Sequence, residues 1–282
     1  HLSLLNYLGI AGIIFLITCS SPGVNSPVVP ELASEAHKQE PYIFGVDSNY
    51  APAMEEEGLS WKVGGKKVDL FRQFSEQGVN YLRLRVWTKT EGENGREYAA
   101  RTALRAQKNG IIPLPVFFLS EGWADLFKQP APPAWRDLPL AEQAEAVRDY
   151  SRTTARYFQK IGLKTILFQI GNEVDYGICG VFAGEGTDRN NPEWMAENIW
   201  PKAARLIRAS QEGIRSVNPS VQFVIQLARW WDPEFCIRFF ETIIKEAVQV
   251  DYLGLSYFPT SGLGPDRSLA GFKKIVNRLS IV

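Results

Sequence analysis

From residue 41 onward the chain keeps a regular beat, with short apolar runs of strand character separated by longer amphipathic stretches. The runs are "YIFGVDS" (42–48), "VNYLRLRVW" (79–87), "IIPLPVFF" (111–118), "TILFQIG" (165–171), "VQFVIQL" (221–227) and "DYLGLSY" (251–257). Helical patterns fill the intervals at about 67–77, 97–109, 140–161, 196–217, 232–248 and 268–278. Gly or Asn closes several of these helices, as in "EQGVN", "KNGII", "KIGLKT" and "SVNPSVQ". Strands that alternate with helices build βαβ units and a parallel sheet.

Two architectures meet that description, an open doubly wound sheet and a closed (β/α)8 barrel. A nucleotide-binding sheet carries a Gly-rich loop after its first strand, and here "GVDSNYAP" stands in that place. Polar side chains cluster at the C-terminal ends of the runs: Asp47, Arg83 and Arg85, Glu121, Asn172 with Glu173, Gln226, and Tyr257. A barrel brings all of those ends to one face, where its active site is built. The expected fold is therefore an α/β (β/α)8 TIM barrel. Six strand–helix units are visible where a barrel needs eight, and a six-stranded arc leaves two edges unpaired. The natural protein is expected to continue beyond Val282 by about 60–100 residues.

The expected organisation is a signal or lipoprotein-type segment over 1–19, a flexible linker over 20–40 and the barrel over 41–282. Residues 2–18, "LSLLNYLGIAGIIFLIT", carry no charge. The apolar part is short for a membrane span, which needs about 20 residues, and suits a secretory leader. Cys19 follows "FLIT" as a lipidated Cys follows a bacterial lipoprotein leader, so a secreted or surface-anchored protein is expected, touching the membrane only through that lipid. The chain opens on His1 without the basic residues that precede a leader, so the start of the leader is expected to be missing.

Composition narrows the chemistry. Formal net charge is zero and the pI is about 7.0, which leaves no basic excess for a nucleic-acid partner. The two histidines, His1 and His37, precede the folded region, so proton transfer must rest on carboxylates, Tyr, Lys or Cys. There is no metal-ligand cluster, and no cofactor is expected. Cys179 and Cys236 are either a pair or two buried thiols. Eight Trp serve either a large core or a sugar-binding cleft.

Asn172 and Glu173 end an apolar strand, which carries an amide and a carboxyl to the barrel mouth. A carboxyl there suits a general acid, and an amide beside it suits a sugar hydroxyl. Arg83 and Arg85 share one face of their strand, with Leu82, Leu84 and Val86 on the other. At least one Arg is expected to hold a carboxylate; Asp47 is either a site residue or a turn former. In "LSEGWADLFKQPAPPAW" (119–135), Trp123 and Trp135 either stack on sugars or cover the core, and Glu121 and Asp125 either bind hydroxyls or cap the loop.

Together, "GVDSNYAPAMEEEG" (45–58), "GVNYLRLRVW" (78–87), "LSEGWADLFKQPAPPAW" (119–135), "QIGNEVDYG" (169–177) and "DYLGLSYFP" (251–259) resemble glycoside hydrolase family 53, the endo-β-1,4-galactanases. The resemblance implies a retaining (β/α)8-barrel enzyme that cleaves β-1,4-galactan or arabinogalactan, acting as a monomer on polysaccharide. It implies that Glu173 is the acid/base and that a nucleophilic Glu ends a seventh strand, beyond Val282. Asp47, Arg83, Arg85, Trp87, Glu121, Trp123, Asp125, Asn172, Gln226 and Tyr257 would shape the cleft, with Tyr257 orienting the nucleophile. The sequence departs from the family pattern at Phe118 and Gln226, where the family carries His, and at Glu121, where it carries Asp. The segment after Glu173 is also longer than usual. Another β-glycosidase specificity, or a carbohydrate-binding lipoprotein without hydrolysis, are the alternative readings.

Overall fold

The computed structural model describes residues 13–18, 42–260, 262–264 and 266–280. In chain order the elements are β1 (Ile13–Thr18), β2 (Gly45–Asp47), α1 (Ala51–Glu56), the hairpin β3 (Lys62–Val63) and β4 (Lys66–Lys67), α2 (Leu70–Glu76), β5 (Tyr81–Val86), α3 (Arg96–Lys108), β6 (Ile112–Phe117) and α4 (Leu140–Lys160). They continue with β7 (Leu167–Ile170), the hairpin β8 (Gly177–Ile178) and β9 (Val181–Phe182), α5 (Pro192–Asn198), α6 (Trp200–Arg215), β10 (Gln222–Leu227), α7 (Pro233–Lys245), β11 (Tyr252–Tyr257) and α8 (Leu269–Leu279). All six strands and six helices expected from the periodicity are present. The short α1 and α5 and the two-residue hairpin strands were not foreseen, because segments that short carry no measurable period.

The main sheet runs β1-β11-β10-β7-β6-β5-β2. The strands from β2 to β11 pair in parallel, in the register Tyr81↔Ile112 to Val86↔Phe117 between β5 and β6. The sheet is curled. Arg83 on β5 reaches Gln226 on β10 with a hydrogen bond of 3.2 Å, although β6 and β7 lie between them. In a flat sheet those strands would stand roughly 14 Å apart. The arrangement is six consecutive strand–helix units of a (β/α)8 barrel.

Alternation along each strand sorts side chains into two populations. Leu82, Leu84, Val86, Phe117, Phe168, Ile170, Phe223, Ile225, Leu253 and Leu255 point outward and join the main core beneath the helices. Its centre is aromatic, with Phe117 edge-on to Phe158 and Phe168, and Trp200 edge-on to Phe235 and Phe239. A smaller apolar group, Leu114, Val116, Phe118, Leu167, Val224 and Tyr252, lies on the inner side. Trp200 and Trp230 are fully buried, so much of the tryptophan content belongs to the core.

Part of the apolar N-terminal run forms β1, which lies antiparallel along β11 from Ile13↔Tyr257 to Thr18↔Tyr252. An uncharged run rich in β-branched residues pairs readily with an uncovered strand edge. The remainder of segment 1–19, including Cys19, and the linker over 20–40 lie outside the described residues.

Candidate active site

The mouth of the barrel is organised around Arg83. Its Nε donates to Gln169 Oε1 (3.0 Å), its Nη1 to Asp47 Oδ2 (3.0 Å), and its Nη2 to Asn172 Oδ1 (2.7 Å) and Gln226 Oε1 (3.2 Å). Gln169 Nε2 donates to Gln226 Oε1 (2.6 Å), and Gln226 Nε2 to Ser256 Oγ (2.8 Å). One polar layer thereby links β2, β5, β7, β10 and β11. Burial pushes the Arg83 guanidinium down from its ordinary value, and the nearby Asp47 carboxylate works against that. A guanidinium starts so high that it stays charged.

Asp47 is held by charge at the mouth: Arg85 Nη2 also approaches it, at 3.5 Å, and Asn49 donates to it. Arg85 Nη1 donates to Tyr50 Oη at 3.2 Å, and its guanidinium lies 4.9 Å from the centre of the Trp123 ring. Trp87 continues the inward row of β5 and carries the Lys89 ammonium 4.9 Å from a ring centre. The end of the neighbouring strand β6 is apolar. Phe118, at the position expected to carry His in the family pattern, is fully buried and supports Trp123 with ring centres 5.8 Å apart.

The loop after β6 folds on Asp125, whose carboxylate accepts from Trp123 Nε1 (2.7 Å), Phe127 N (2.8 Å) and Lys128 N (3.2 Å). Asp125 therefore caps the loop, and Glu121 stands exposed on it. Trp123 is 39% and Phe127 60% exposed at this rim, whereas Trp135 packs against the core and Tyr150.

At the end of β7 the backbone turns sharply. Gly171 has φ +74, and a Cβ there would meet Val174 Cγ1 at 2.3 Å, so only Gly fits. Asn172 is buried between Arg83 and the Ala124 carbonyl, to which its Nδ2 donates at 3.0 Å. Glu173 follows with φ +54, partly exposed, and its Oε2 accepts from Leu126 N at 3.2 Å. Asp175 is different: fully buried, it accepts from Ala228 N and Arg229 N, both at 2.8 Å. Burial pushes the Asp175 carboxyl up to about 7, against the pull of those two N–H donors.

Ten sequence-derived candidates besides Glu173 were expected to shape the cleft, and Tyr257 is a correction. Its ring faces the helices, stacks on Phe272 at 4.2 Å and meets Trp230 edge-on, while its hydroxyl donates to the Arg267 carbonyl. Its neighbour Ser256 takes the inward position, since Leu253, Leu255 and Tyr257 share one parity. Gln169 and Ser256 were missed, although a polar residue at an inward position of an apolar strand is a readable signal. Gln129 was missed without any such signal. Cys179 and Cys236 are separate buried thiols, and burial pushes the Cys179 thiol up to about 12. Among the described residues no group of three His, Cys, Asp or Glu side chains is placed to hold a metal ion.

The carboxyls at the mouth thus divide by what holds them. Asp47 sits between two guanidinium groups, Asp125 is bound by its own loop and Asp175 is sealed under two amides. Among the described residues Glu173 makes no ion pair, and a single main-chain N–H fixes its carboxyl at the rim.

The sequence profile of Glycosyl hydrolase family 53 matches residues 43–279. An endo-beta-1,4-galactanase of Bacillus subtilis (strain 168) is 29% identical over 231 residues, covering 77% of this chain and 49% of that protein. An arabinogalactan endo-beta-1,4-galactanase of Cellvibrio japonicus (strain Ueda107) is 30% identical over 229 residues, covering 78% of this chain and 57% of that one. The chain spans about half the length of these relatives. Among solved structures, the Ignisphaera aggregans GH53 catalytic domain superposes with TM-score 0.72 at 28% identity, over 88% of this chain and 68% of that one. One of two fungal beta-1,4-galactanases superposes equally well, TM-score 0.72, at 23% identity over 83% of this chain and 69% of that one, and supports the fold.

Proposed function

Because the chain belongs to glycosyl hydrolase family 53, we propose that the protein is a retaining, endo-acting hydrolase of β-1,4-galactan, arabinogalactan included, with Glu173 as its acid/base. The observation that carries this reading is how the mouth carboxyls are held: among the described residues Glu173, at the end of β7, makes no ion pair and is held by one main-chain N–H, whereas Asp47 is paired with two guanidinium groups and Asp125 is bound by its own loop. In this reading Glu173 protonates the glycosidic oxygen as the bond breaks, then takes a proton from the water that releases the product. Asn172, fixed by Arg83, contacts the sugar's 2-hydroxyl. Trp123, braced by Phe118 and Arg85, offers a ring face to a sugar.

A retaining mechanism needs a second carboxyl about 5–5.5 Å from the first. Asp47, Asp125 and Asp175 are each committed elsewhere, so the proposal takes the nucleophile from a later barrel strand, outside these 282 residues. The test uses the protein expressed from its intact gene on β-1,4-galactan, with the anomer of the first product read by NMR. Retention is expected, and Glu173→Gln is expected to lower turnover about 10²- to 10⁴-fold. Inversion, or unchanged turnover in the variant, rejects the assignment.

The localisation belongs to the same proposal. In this reading the apolar N-terminal segment, including the β1 residues that lie along β11 in this chain, is removed as a leader, and a lipid on Cys19 holds an otherwise monomeric enzyme at the cell surface. Radiolabelled palmitate should enter the wild-type protein and not Cys19→Ser, and equal labelling of both would reject the anchor.

A further inference from the structure

Glu173 occupies a backbone conformation that Glu disfavours, because at φ +54 its Cβ crowds the following carbonyl. Such a conformation persists only where the surroundings hold it. The direction of the Glu173 side chain is set by two peptide planes, the one before and the one after its Cα. The carbonyl oxygens of those two planes belong to Asn172 and Glu173 themselves. Both accept from one side-chain amide, Gln129 Nε2, at 2.8 and 3.2 Å. The same nitrogen donates to the Asp125 carbonyl at 3.0 Å.

Gln129 is itself well anchored. It is 3% exposed, and its main-chain oxygen accepts from Gly180 N at 2.6 Å. All three neighbours of its amide nitrogen are carbonyl oxygens, so only the NH2 end of the side chain can face them. One residue of the same turn, Leu126, supplies the N–H that holds the Glu173 carboxyl. Backbone and carboxyl of Glu173 are thus both located from the turn over 125–129, and Gln129 is the tie between them.

We propose that Gln129 is a positioning residue for the reaction: by clamping the peptide planes on either side of Glu173, it aims that carboxyl at the glycosidic oxygen. This rests on the reading of Glu173 as acid/base. Its role is geometric, since Gln129 reaches the reacting atoms only through Glu173. Losing the clamp should therefore harm proton donation and leave steps without proton donation nearly intact.

The test compares two substrates in the protein expressed from its intact gene. β-1,4-Galactan has a leaving group that needs a proton; a 2,4-dinitrophenyl β-galactobioside has one that departs without it. Gln129→Met keeps the volume and removes the donors; Gln129→Asn keeps the amide and withdraws it by one methylene. Melting curves establish which variant is folded, and the folded one carries the comparison. The expected result is a kcat on galactan lower by about 10- to 100-fold with KM little changed, since misplacing a reacting group by about 1 Å costs about that much. First-turnover release of dinitrophenolate should stay close to wild type. A purely structural role would lower both substrates together or neither, and either outcome overturns the assignment. Glu173→Gln is measured alongside. If it shows the contrast and the folded Gln129 variant does not, the inference alone falls; if it shows none, the acid/base reading falls with it.

Discussion

Arg83 concentrates more of the site than any other residue, because one planar fork meets oxygen atoms from Asp47, Gln169, Asn172 and Gln226. A cation this enclosed is tolerable only with such a set of acceptors, and removing it takes the Arg83 donor from three oxygen atoms, those of Asp47, Gln169 and Asn172, while Gln226 Oε1 keeps Gln169 Nε2. Arg83→Met is expected to lower the stability of the fold by about 3–5 kcal/mol, read from the denaturant midpoint. Arg83→Lys, which keeps the charge and loses the fork, should fall between. A loss below about 1 kcal/mol for the Met variant would show that the polar layer is not held together through this side chain. Gly171 makes a second case, since Gly171→Ala adds a Cβ into Val174 at a left-handed backbone. Lower stability and lower turnover should appear together there, because the shift is passed directly to Asn172 and Glu173.

Between elements, Asp175 fastens the end of β7 to the loop that follows β10. Its carboxyl, about 7 in the folded protein against 3.8 ordinarily, binds a proton more tightly when folded than when unfolded. The stability it contributes is therefore complete below about pH 4 and is lost as pH rises toward about 7, with no further change above. The melting midpoint of wild type relative to Asp175→Asn should fall across that window, and a difference independent of pH would contradict the buried, proton-binding carboxyl. The strands and helices were legible because their periods differ, and so was the place of Glu173 at a strand end, a carboxyl closing an apolar run. Tyr257 was misplaced because residue type outweighed parity: Leu253 and Leu255 on the same strand already point to the helices. Gln129 and Asp175 were opaque for another reason. Their partners lie about forty to fifty residues away along the chain, and only the closeness of two strand ends brings them together.

Across the whole molecule, strand order sets how firmly each part is held. β7 and β10 have parallel neighbours on both sides, while the three-residue β2 ends the sheet with one. Hydrogen exchange on a polypeptide limited to these 282 residues should report this gradient, with amides of Gly45–Asp47 exchanging well before those of Gln222–Leu227, whereas the later strands of a closed barrel would pair with β2 and level it. Equal protection would mean that the edge is covered in solution by more than the described residues supply. The rim above this sheet is fastened across, as well as along, the chain. Gln129 binds the loop after β6 to the turn after β7, and Asp175 binds that turn to the loop after β10. Three neighbouring connections are thereby joined and cannot fluctuate independently. Breathing at the mouth has to be collective, carrying Trp123, Phe127 and Glu173 together, and so slower than the flicker of separate loops. On the proposed reading, a glycan at such a rim meets groups whose freedom was already lost when the chain folded, so little ordering remains to oppose binding.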